Sequence, residues 1–278
     1  MAGAWQRGLS FAKGIALGSD YTDSAGRYVA SSGTTFTKGA WVQLIASTTI
    51  NSSWTLISVM FDAASAGGNW AIDIGIGNVG NEQVIVSNLP NTAHIMIPLR
   101  ISSGTRVVAR SLCSSAYGDV FVQMQVFADT FTSGGSSGSV TTYGFNTATS
   151  IGVAVDGGSI ANSKGSYVQI ASALTSSIAG FFLGFDIQNT EGSGVGDVPH
   201  LTDIAIGSSG SEVVILPDLQ HTLYYYGTGN GAGTRGPVLS PYFPLPIQAG
   251  VRVAARTQSR TSTSPDRKFG LTFYGVRQ

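Results

Sequence analysis

A glycine-rich stretch in the first half of the chain has the spacing of a phosphate-binding loop. Residues 73–89 read DIGIGNVGNEQVIVSNL, in which Gly75, Gly77 and Gly80 match GxGxxG. A dinucleotide site of this kind needs a helix directly after the glycines, because the first helical turn receives the pyrophosphate. The residues after Gly80 are instead β-branched and typical of a strand. The stretch therefore predicts a turn between two strands and no cofactor site.

The same stretch occurs again in the second half. Residues 203–219 read DIAIGSSGSEVVILPDL, with Ala205 at the position of Gly75, so the fingerprint is broken in this copy. Two other segments are also repeated in the same order. The segment KGAWVQL returns as KGSYVQI 126 residues later, and PLRISSGTRVVAR returns as PLPIQAGVRVAAR 146 residues later. The glycine-rich stretch, which lies between them, returns after 130 residues. Matching order at rising offset predicts two copies of one domain with diverged loops.

Within each copy the hydrophobic residues alternate with polar or small ones. Ile72, Ile74 and Ile76 alternate with Asp73 and Gly75, and such a period of two indicates half-buried strands. Short strands closed by Gly, Ser, Asn or Pro, without a window of helical period, predict an all-β protein. We expect two tandem β-sandwich or jelly-roll-like domains from an internal duplication, preceded by an N-terminal arm.

The predicted boundaries follow from the repeats. The arm covers residues 1–24, the first domain 25–131, the linker 132–148 and the second domain 149–278. The linker prediction rests on the run TSGGSSGS, which is typical of flexible connections. Trp5 and Phe11 are the predicted anchors of the arm on a neighbouring protein.

Charged side chains recur at equivalent positions in the two copies. Two arginines lie four residues apart on one predicted strand of each copy and so face the same way. Each copy also keeps one Asp and one Glu. The spacing favours an ion-pair set that ties the strand to its neighbours, with a subunit contact as the alternative. Catalysis by the set is not expected, because no nucleophile or tunable base is near it. The set is Asp73, Glu82, Arg106 and Arg110, with Asp203, Glu212, Arg252 and Arg256.

Other motifs point to chemistry less strongly. Residues 134–138 match GxSxG, but a nucleophile elbow needs a strand before the Ser and a helix after it. The three histidines lack metal-ligand spacing. An acidic region of the second copy could hold calcium, although it lacks dense alternating oxygen ligands and is predicted to be a solvated loop. The three histidines are His94, His200 and His221. The acidic region contains Asp186, Glu191, Asp197, His200 and Asp203.

The largest insertion of the second copy, residues 221–236, is rich in tyrosine and glycine. It contains Tyr224, Tyr225, Tyr226 and Arg235. Tyrosine in a Gly and Asn setting is typical of adaptable binding loops. A subunit contact and the binding of an outside ligand are both open, with the subunit contact slightly favoured.

Composition limits the partners. Lys and Arg number 15, as do Asp and Glu, and the charged fraction is only 11%, so neither nucleic acid nor an anionic membrane is an expected partner. Cys113, the single cysteine, excludes an internal disulfide framework. Lys13 interrupts the apolar N-terminus and no apolar run approaches about 18 residues, so we expect a soluble protein made in the cytoplasm.

The repeated module, together with the N-terminal lead WQRGLS, resembles a group of tailed-bacteriophage virion structural proteins whose role is poorly defined. The resemblance covers most of both copies and brings no catalytic residues. It implies a virion location, assembly in the host cytoplasm, and contacts with other virion proteins and with copies of the chain itself.

Two functional hypotheses follow. The first is a non-catalytic structural component of a phage particle, associated with the tail or a fibre or decorating the capsid. The second is a module that binds a glycan or receptor of the host surface through the tyrosine and glycine loop. An enzyme is the least favoured class.

Overall fold

The computed structural model describes residues 11–17, 26–61, 70–90, 94–129, 138–149, 152–186, 198–223, 238–264 and 267–277. These residues contain strands and turns but no helix, so the prediction of an all-β protein is confirmed. No helix in this part of the chain is therefore long and apolar enough to cross a membrane.

The described residues of the first half form nine strands, which are arranged as a sandwich. Strand β9 lies at the centre of a five-stranded sheet, with β1, β2 and β4 paired to it and β7 paired to β4. Strands β3, β8, β5 and β6 form the opposing layer in that order. The strands are β1 (Phe11–Leu17), β2 (Arg27–Ala30), β3 (Val42–Ile45), β4 (Trp54–Phe61), β5 (Trp70–Ile76), β6 (Gln83–Leu89), β7 (His94–Ile97), β8 (Val107–Cys113) and β9 (Asp119–Asp129).

The second half repeats this arrangement. Strand β18 is central, with β10, β11 and β13 paired to it and β16 paired to β13, and the opposing layer is β12, β17, β14 and β15. The strands are β10 (Ser139–Tyr143), β11 (Val153–Asp156), β12 (Val168–Ala171), β13 (Gly180–Asp186), β14 (Val198–Ile206), β15 (Val213–Leu223), β16 (Val238–Leu239), β17 (Val253–Ser259) and β18 (Lys268–Arg277).

Strand pairing has the same register in both halves. Ile57 pairs with Met124 in the first half, and Leu183, which follows Ile57 by the sequence offset of 126, pairs with Phe273 in the second. All four side chains are buried between the layers of their own half. This repeated register is what a tandem repeat predicts.

Two predicted boundaries differ from the structure. Residues 11–17 of the predicted arm form β1, which pairs with β9, and Leu17 is buried in the core. Residues 139–143 of the predicted linker form β10, which pairs with β18 as β1 pairs with β9. Each copy thus starts earlier than its repeated motifs, because its first strand carries no anchor motif. Trp5 and residues 132–137 lie outside the described part of the chain.

The two halves are joined through β10. This strand pairs with β18 on one side and, in parallel, with β6 on the other, so the layers merge into a nine-stranded sheet. The ring of Phe182 stacks on that of Tyr274 with centroids 4.6 Å apart, and the Tyr274 hydroxyl donates to the carbonyl oxygen of Asn88 at 2.7 Å. Packing and hydrogen bonds therefore fix the second half against the first.

Candidate functional site

The GxGxxG stretch forms a turn between β5 and β6. Gly77 and Gly80 have φ angles of 118° and 84°, and Gly207 and Gly210 have nearly the same values in the second copy. A left-handed conformation of this kind favours glycine. Strand β6 follows instead of a helix, so the stretch lacks the helix that a pyrophosphate site requires.

Gly75 has a different role, because it lies under an aromatic ring. A Cβ atom at this position would come within 2.8 Å of the Trp41 ring. The guanidinium carbon of Arg110 lies 4.3 Å from the centre of that ring. In the second copy Ala205 takes the place of Gly75, and the ring beside Arg256 is the smaller Tyr167, at 4.6 Å.

We expect Gly75→Ala to lower the free energy of unfolding by about 1–3 kcal/mol, the usual cost of overpacking. Adding Trp41→Tyr recreates the pair found in the second copy, so the double variant should lose less than the two single variants together. Urea denaturation of the four proteins measures this coupling. Strictly additive losses would show that the ring and the glycine do not depend on each other.

The predicted charged residues form four ion pairs, two in each copy. Arg106 lies 2.9 Å from Glu82 and also donates to the carbonyl oxygen of Gly77. Arg252 and Glu212 lie 3.0 Å apart in the same arrangement. The hydrogen bond from Arg106 holds the pKa of Glu82 below its ordinary value. These pairs connect the β5–β6 turn and the β14–β15 turn to the adjacent strand.

The other two pairs are centred on aspartates. Asp73 accepts from Arg110 at 3.0 Å and from Lys38 at 2.8 Å. Asp203 accepts from Arg256 at 2.9 Å and from a lysine, Lys164, at 2.8 Å. The two lysines were not among the residues predicted from the sequence, although they begin the repeated KGAWVQL and KGSYVQI segments and could have been found there.

The aspartates also hold a bulge in the neighbouring strand. Asp73 accepts from the backbone amide of Asn88, and Asp203 accepts from that of Asp218. Asn88 and Asp218 have φ angles of 55° and 48°, which are unusual for residues other than glycine. The eight charged residues of the predicted ion-pair set therefore connect neighbouring strands in the same way in both copies.

The histidines lie in two different places. His94 is exposed and hydrogen-bonded to Ser58, while His200 and His221 are buried side by side in the second half. His221 stacks on Phe185 with ring centroids 3.9 Å apart, and its Nε2 is 2.9 Å from the Thr202 hydroxyl. Burial, and secondarily the nearby His200, lowers the pKa of His221 to about 3. His221 is therefore neutral at physiological pH.

The described residues do not form the calcium site that was the alternative prediction for the acidic region of the second copy. Asp186 accepts from the Gly152 amide at the end of β13, whereas Asp203 is neutralised by its lysine and arginine. Glu191 and Asp197 lie outside the described residues. The part of the chain that the structure describes holds no cluster of three or more His, Cys, Asp or Glu that could bind a metal.

Among the Asp and Glu residues that the structure describes in the second half, Asp186 has the most strongly shifted pKa. Its side chain is buried, with 9% of the residue exposed, and burial raises its pKa to about 7 despite the hydrogen bond from Gly152. The prediction that Asp186 lies in a solvated loop is therefore wrong. The residue instead ends β13, on the face of the strand that also carries Phe182.

A cavity of about 390 Å³ lies beside His221. Strand β15 ends at Leu223 and β16 begins at Val238, so the predicted tyrosine and glycine loop joins two walls of the cavity. Tyr224, Tyr225, Tyr226 and Arg235 of that loop lie outside the described residues. The cavity is lined by Phe185, Leu219, Gln220, His221, Thr222, Leu239, Ser240 and Pro241.

No family model matches the chain, and no curated protein matches it. Several solved structures are similar to it at low sequence identity. A peptide-N(4)-(N-acetyl-β-D-glucosaminyl)asparagine amidase shares 11% identity, with 95% of this chain and 96% of that chain covered and a TM-score of 0.38. The tandem CBM22-1–CBM22-2 domain of Xyn10C from Paenibacillus barcinonensis shares 14%, with 95% and 90% covered and a TM-score of 0.27. A structure of infectious bursal disease virus shares 10%, with 83% and 63% covered and a TM-score of 0.20.

The comparisons correct two predictions. The main functional hypothesis, a structural component of a phage particle, is wrong, because the similar structures include peptide N-glycanases and a CBM22 tandem domain. The prediction that the chain is not an enzyme is wrong on the same ground, since several of these structures are amidases. The resemblance to tailed-phage proteins itself stays a prediction. At these identities and scores the likeness concerns the β-sandwich class alone, and no activity is transferred from it.

Proposed function

We propose that the chain binds a carbohydrate in the cavity beside His221. The observation that carries the proposal is the composition of the cavity wall. None of the eight lining residues in the described part of the chain is an Asp, Glu, Lys or Arg, and His221 is uncharged because its pKa is lowered to about 3. An uncharged cavity favours a neutral ligand over a phosphate or a carboxylate.

The wall combines apolar surface with a few hydrogen-bonding groups. Phe185, Leu219 and Leu239 supply the apolar surface. Gln220 and Thr222 supply an amide and a hydroxyl. A sugar ring presents C–H surface and hydroxyl groups together, and sites for such ligands are mostly apolar with a small number of placed polar groups. The volume of about 390 Å³ lies in the usual range for small-ligand sites.

His221 offers a further hydrogen-bonding atom. Its Nε2 is occupied by Thr202, whereas its Nδ1 is buried without a hydrogen-bond partner among the described residues. A buried polar atom in this state costs about 1–3 kcal/mol, so a ligand that bonds it gains more than one that bonds an exposed group. The tyrosines of the predicted binding loop begin three residues later, at Tyr224, and their Gly-rich and Asn-containing surroundings are typical of binding loops.

The first test is a glycan array with the full chain. We expect binding to neutral glycans that Thr222→Val and Tyr225→Ala each weaken by about tenfold, the effect of losing about 1.4 kcal/mol of binding energy. Thr149→Val is the matched control, because Thr149 is exposed on a turn between β10 and β11 and does not line the cavity.

Two results would contradict the proposal. One is an array on which the folded wild-type chain binds no glycan. The other is glycan binding that Thr222→Val leaves at the level of Thr149→Val, which would place the sugar elsewhere on the chain.

A further inference from the structure

A second cavity, of about 460 Å³, lies where the two halves meet. Strand β10 pairs with β6 of the first half and with β18 of the second, and the cavity takes residues from these three strands and from β5 and β8. We call it the junction cavity. Its charged and polar lining residues include Asp73, Ser87, Asn88, Arg110, Thr141 and Arg277.

Positive charge exceeds negative charge around the junction cavity. The charged lining residues are Asp73, Arg110 and Arg277. The carboxylate of Asp73 already accepts from Lys38, from Arg110 and from the backbone amide of Asn88. When Lys38 is counted with the two arginines, three cations surround a single carboxylate whose oxygens are occupied. An anionic ligand would therefore be attracted to this cavity.

Both arginines have unused hydrogen-bond donors. Arg277 is exposed, and its guanidinium group has no hydrogen-bond or ion-pair partner among the described residues. Arg110 donates from its Nε to Asp73, while its two terminal nitrogens have no hydrogen-bond partner in the same part of the chain. A guanidinium group binds a carboxylate through paired N–H donors in one plane, which makes arginine well suited to recognise such a group.

The equivalent place in the second copy is electrically balanced. Asp218 takes the position of Asn88 at nearly the same φ angle, and it pairs with Lys164 at 2.8 Å. Lys164 and Arg256 therefore face two carboxylates, those of Asp203 and Asp218. Strand β15 is the last strand of its sheet in the described structure, so no further strand brings a third cation. The excess of positive charge thus belongs to the junction alone and not to the repeated module.

Uncharged polar groups lie beside the arginines. Ser87, Asn88 and Thr141 all line the junction cavity. The side-chain oxygen of Asn88 accepts from Lys38, which leaves the NH₂ group of that amide as a donor. The volume of about 460 Å³ lies in the usual range for small-ligand sites and is more than an inorganic ion fills. The cavity therefore offers hydrogen bonds to the body of a ligand as well as charge to its acidic group.

We propose that the junction cavity binds a small hydroxylated carboxylic acid. Its carboxylate is bound by Arg110 and Arg277, and its hydroxyl groups contact Ser87, Asn88 and Thr141. Acidic sugars belong to this class of ligand. The site differs from the cavity beside His221 in its lining residues and in its charge, and it requires both halves of the chain.

An NMR titration of the isotope-labelled full chain with sodium glucuronate tests the proposal, with glucose as the neutral counterpart. We expect glucuronate to shift the amide resonances of residues 87–88 and 139–141, which line the junction cavity. Glucose should leave these resonances unchanged, because it has the hydroxyl groups but no carboxylate for the arginines.

Two variants test the role of charge. Arg277→Gln should weaken glucuronate binding by about tenfold or more, because it removes a charged donor. Arg260→Gln is the matched control, since Arg260 is also exposed but does not line the cavity. Asn88→Asp should likewise weaken binding by about tenfold or more, because it adds a carboxylate. We expect this variant to fold normally, since Asp218 occupies the same position in the second copy.

Three results would overturn the proposal. The first is the absence of shifts at residues 87–88 and 139–141 at saturating glucuronate, and the second is equal shifts with glucose. The third is glucuronate binding that Arg277→Gln leaves at the level of Arg260→Gln. Because the junction cavity and the cavity beside His221 are lined by different residues, either site can fail its test without the other.

Discussion

Replacing Asp186 with Asn is expected to raise the free energy of unfolding at pH 7 by up to about 4 kcal/mol. Burial raises the pKa of Asp186 from 3.8 to about 7, a difference of roughly three units at 1.36 kcal/mol each. The folded state therefore holds the proton more tightly than the unfolded chain. Asn is uncharged and its side-chain oxygen can still accept from the Gly152 amide.

The sign of the pH dependence follows from the raised pKa. The contribution of Asp186 is most favourable below pH 3.8, where the carboxyl is protonated in both states, and it is lost as the pH rises to about 7. We expect the difference in stability between Asp186→Asn and the wild type to grow across this window and to level off above it. Urea denaturation between pH 4 and 8 measures it. A difference that is constant with pH would contradict the burial of an ionisable Asp186.

Replacing His221 with Phe is expected to have the opposite pH dependence. The pKa of His221 is lowered from 6.5 to about 3, first by burial and then by His200. Folding therefore favours the neutral form of His221. The contribution of His221 to the free energy of unfolding is fully present above pH 6.5 and is lost as the pH falls to about 3. The loss amounts to up to about 5 kcal/mol. Phe keeps the stacking on Phe185 and cannot be protonated, although it loses the bond to Thr202.

The two variants control each other. In the wild type, acidification makes the contribution of Asp186 to the free energy of unfolding more favourable and that of His221 less favourable, so the two changes largely offset each other. We expect Asp186→Asn to become less stable relative to the wild type as the pH falls from 7 to 4, and His221→Phe to become more stable. Parallel profiles for the three proteins would show that neither group is buried as described.

Much of the fold could be predicted from the sequence, because repeated motifs report on equivalent positions. The alternation of Ile72, Ile74 and Ile76 indicates a strand directly, and β5 spans these residues. The spacing of Arg106 and Arg110 places both on one face, where each has an acidic partner. Strands β1 and β10 were missed, because they carry no repeated motif and their antiparallel partners β9 and β18 lie more than a hundred residues away.

The candidate site could be predicted only in part. The composition of residues 221–236 indicates a binding loop, but the stacking of His221 on Phe185 and the cavity beside it depend on contacts between distant strands. The burial of Asp186 likewise depends on distant parts of the chain, since Asp186 pairs with Gly270 on β18 and accepts from the amide of Gly152. Alternation and spacing describe one strand at a time, so they do not show which side of a sheet a neighbouring unit covers.

The most direct test of carbohydrate binding is an NMR titration of the isotope-labelled chain with a glycan selected on the array. We predict that the amide resonances that shift are those of residues 219–222 and 239–240, which line the cavity, with those around Asp73 unchanged. Shifts confined to other parts of the chain, or no shifts at saturating glycan, would contradict the account.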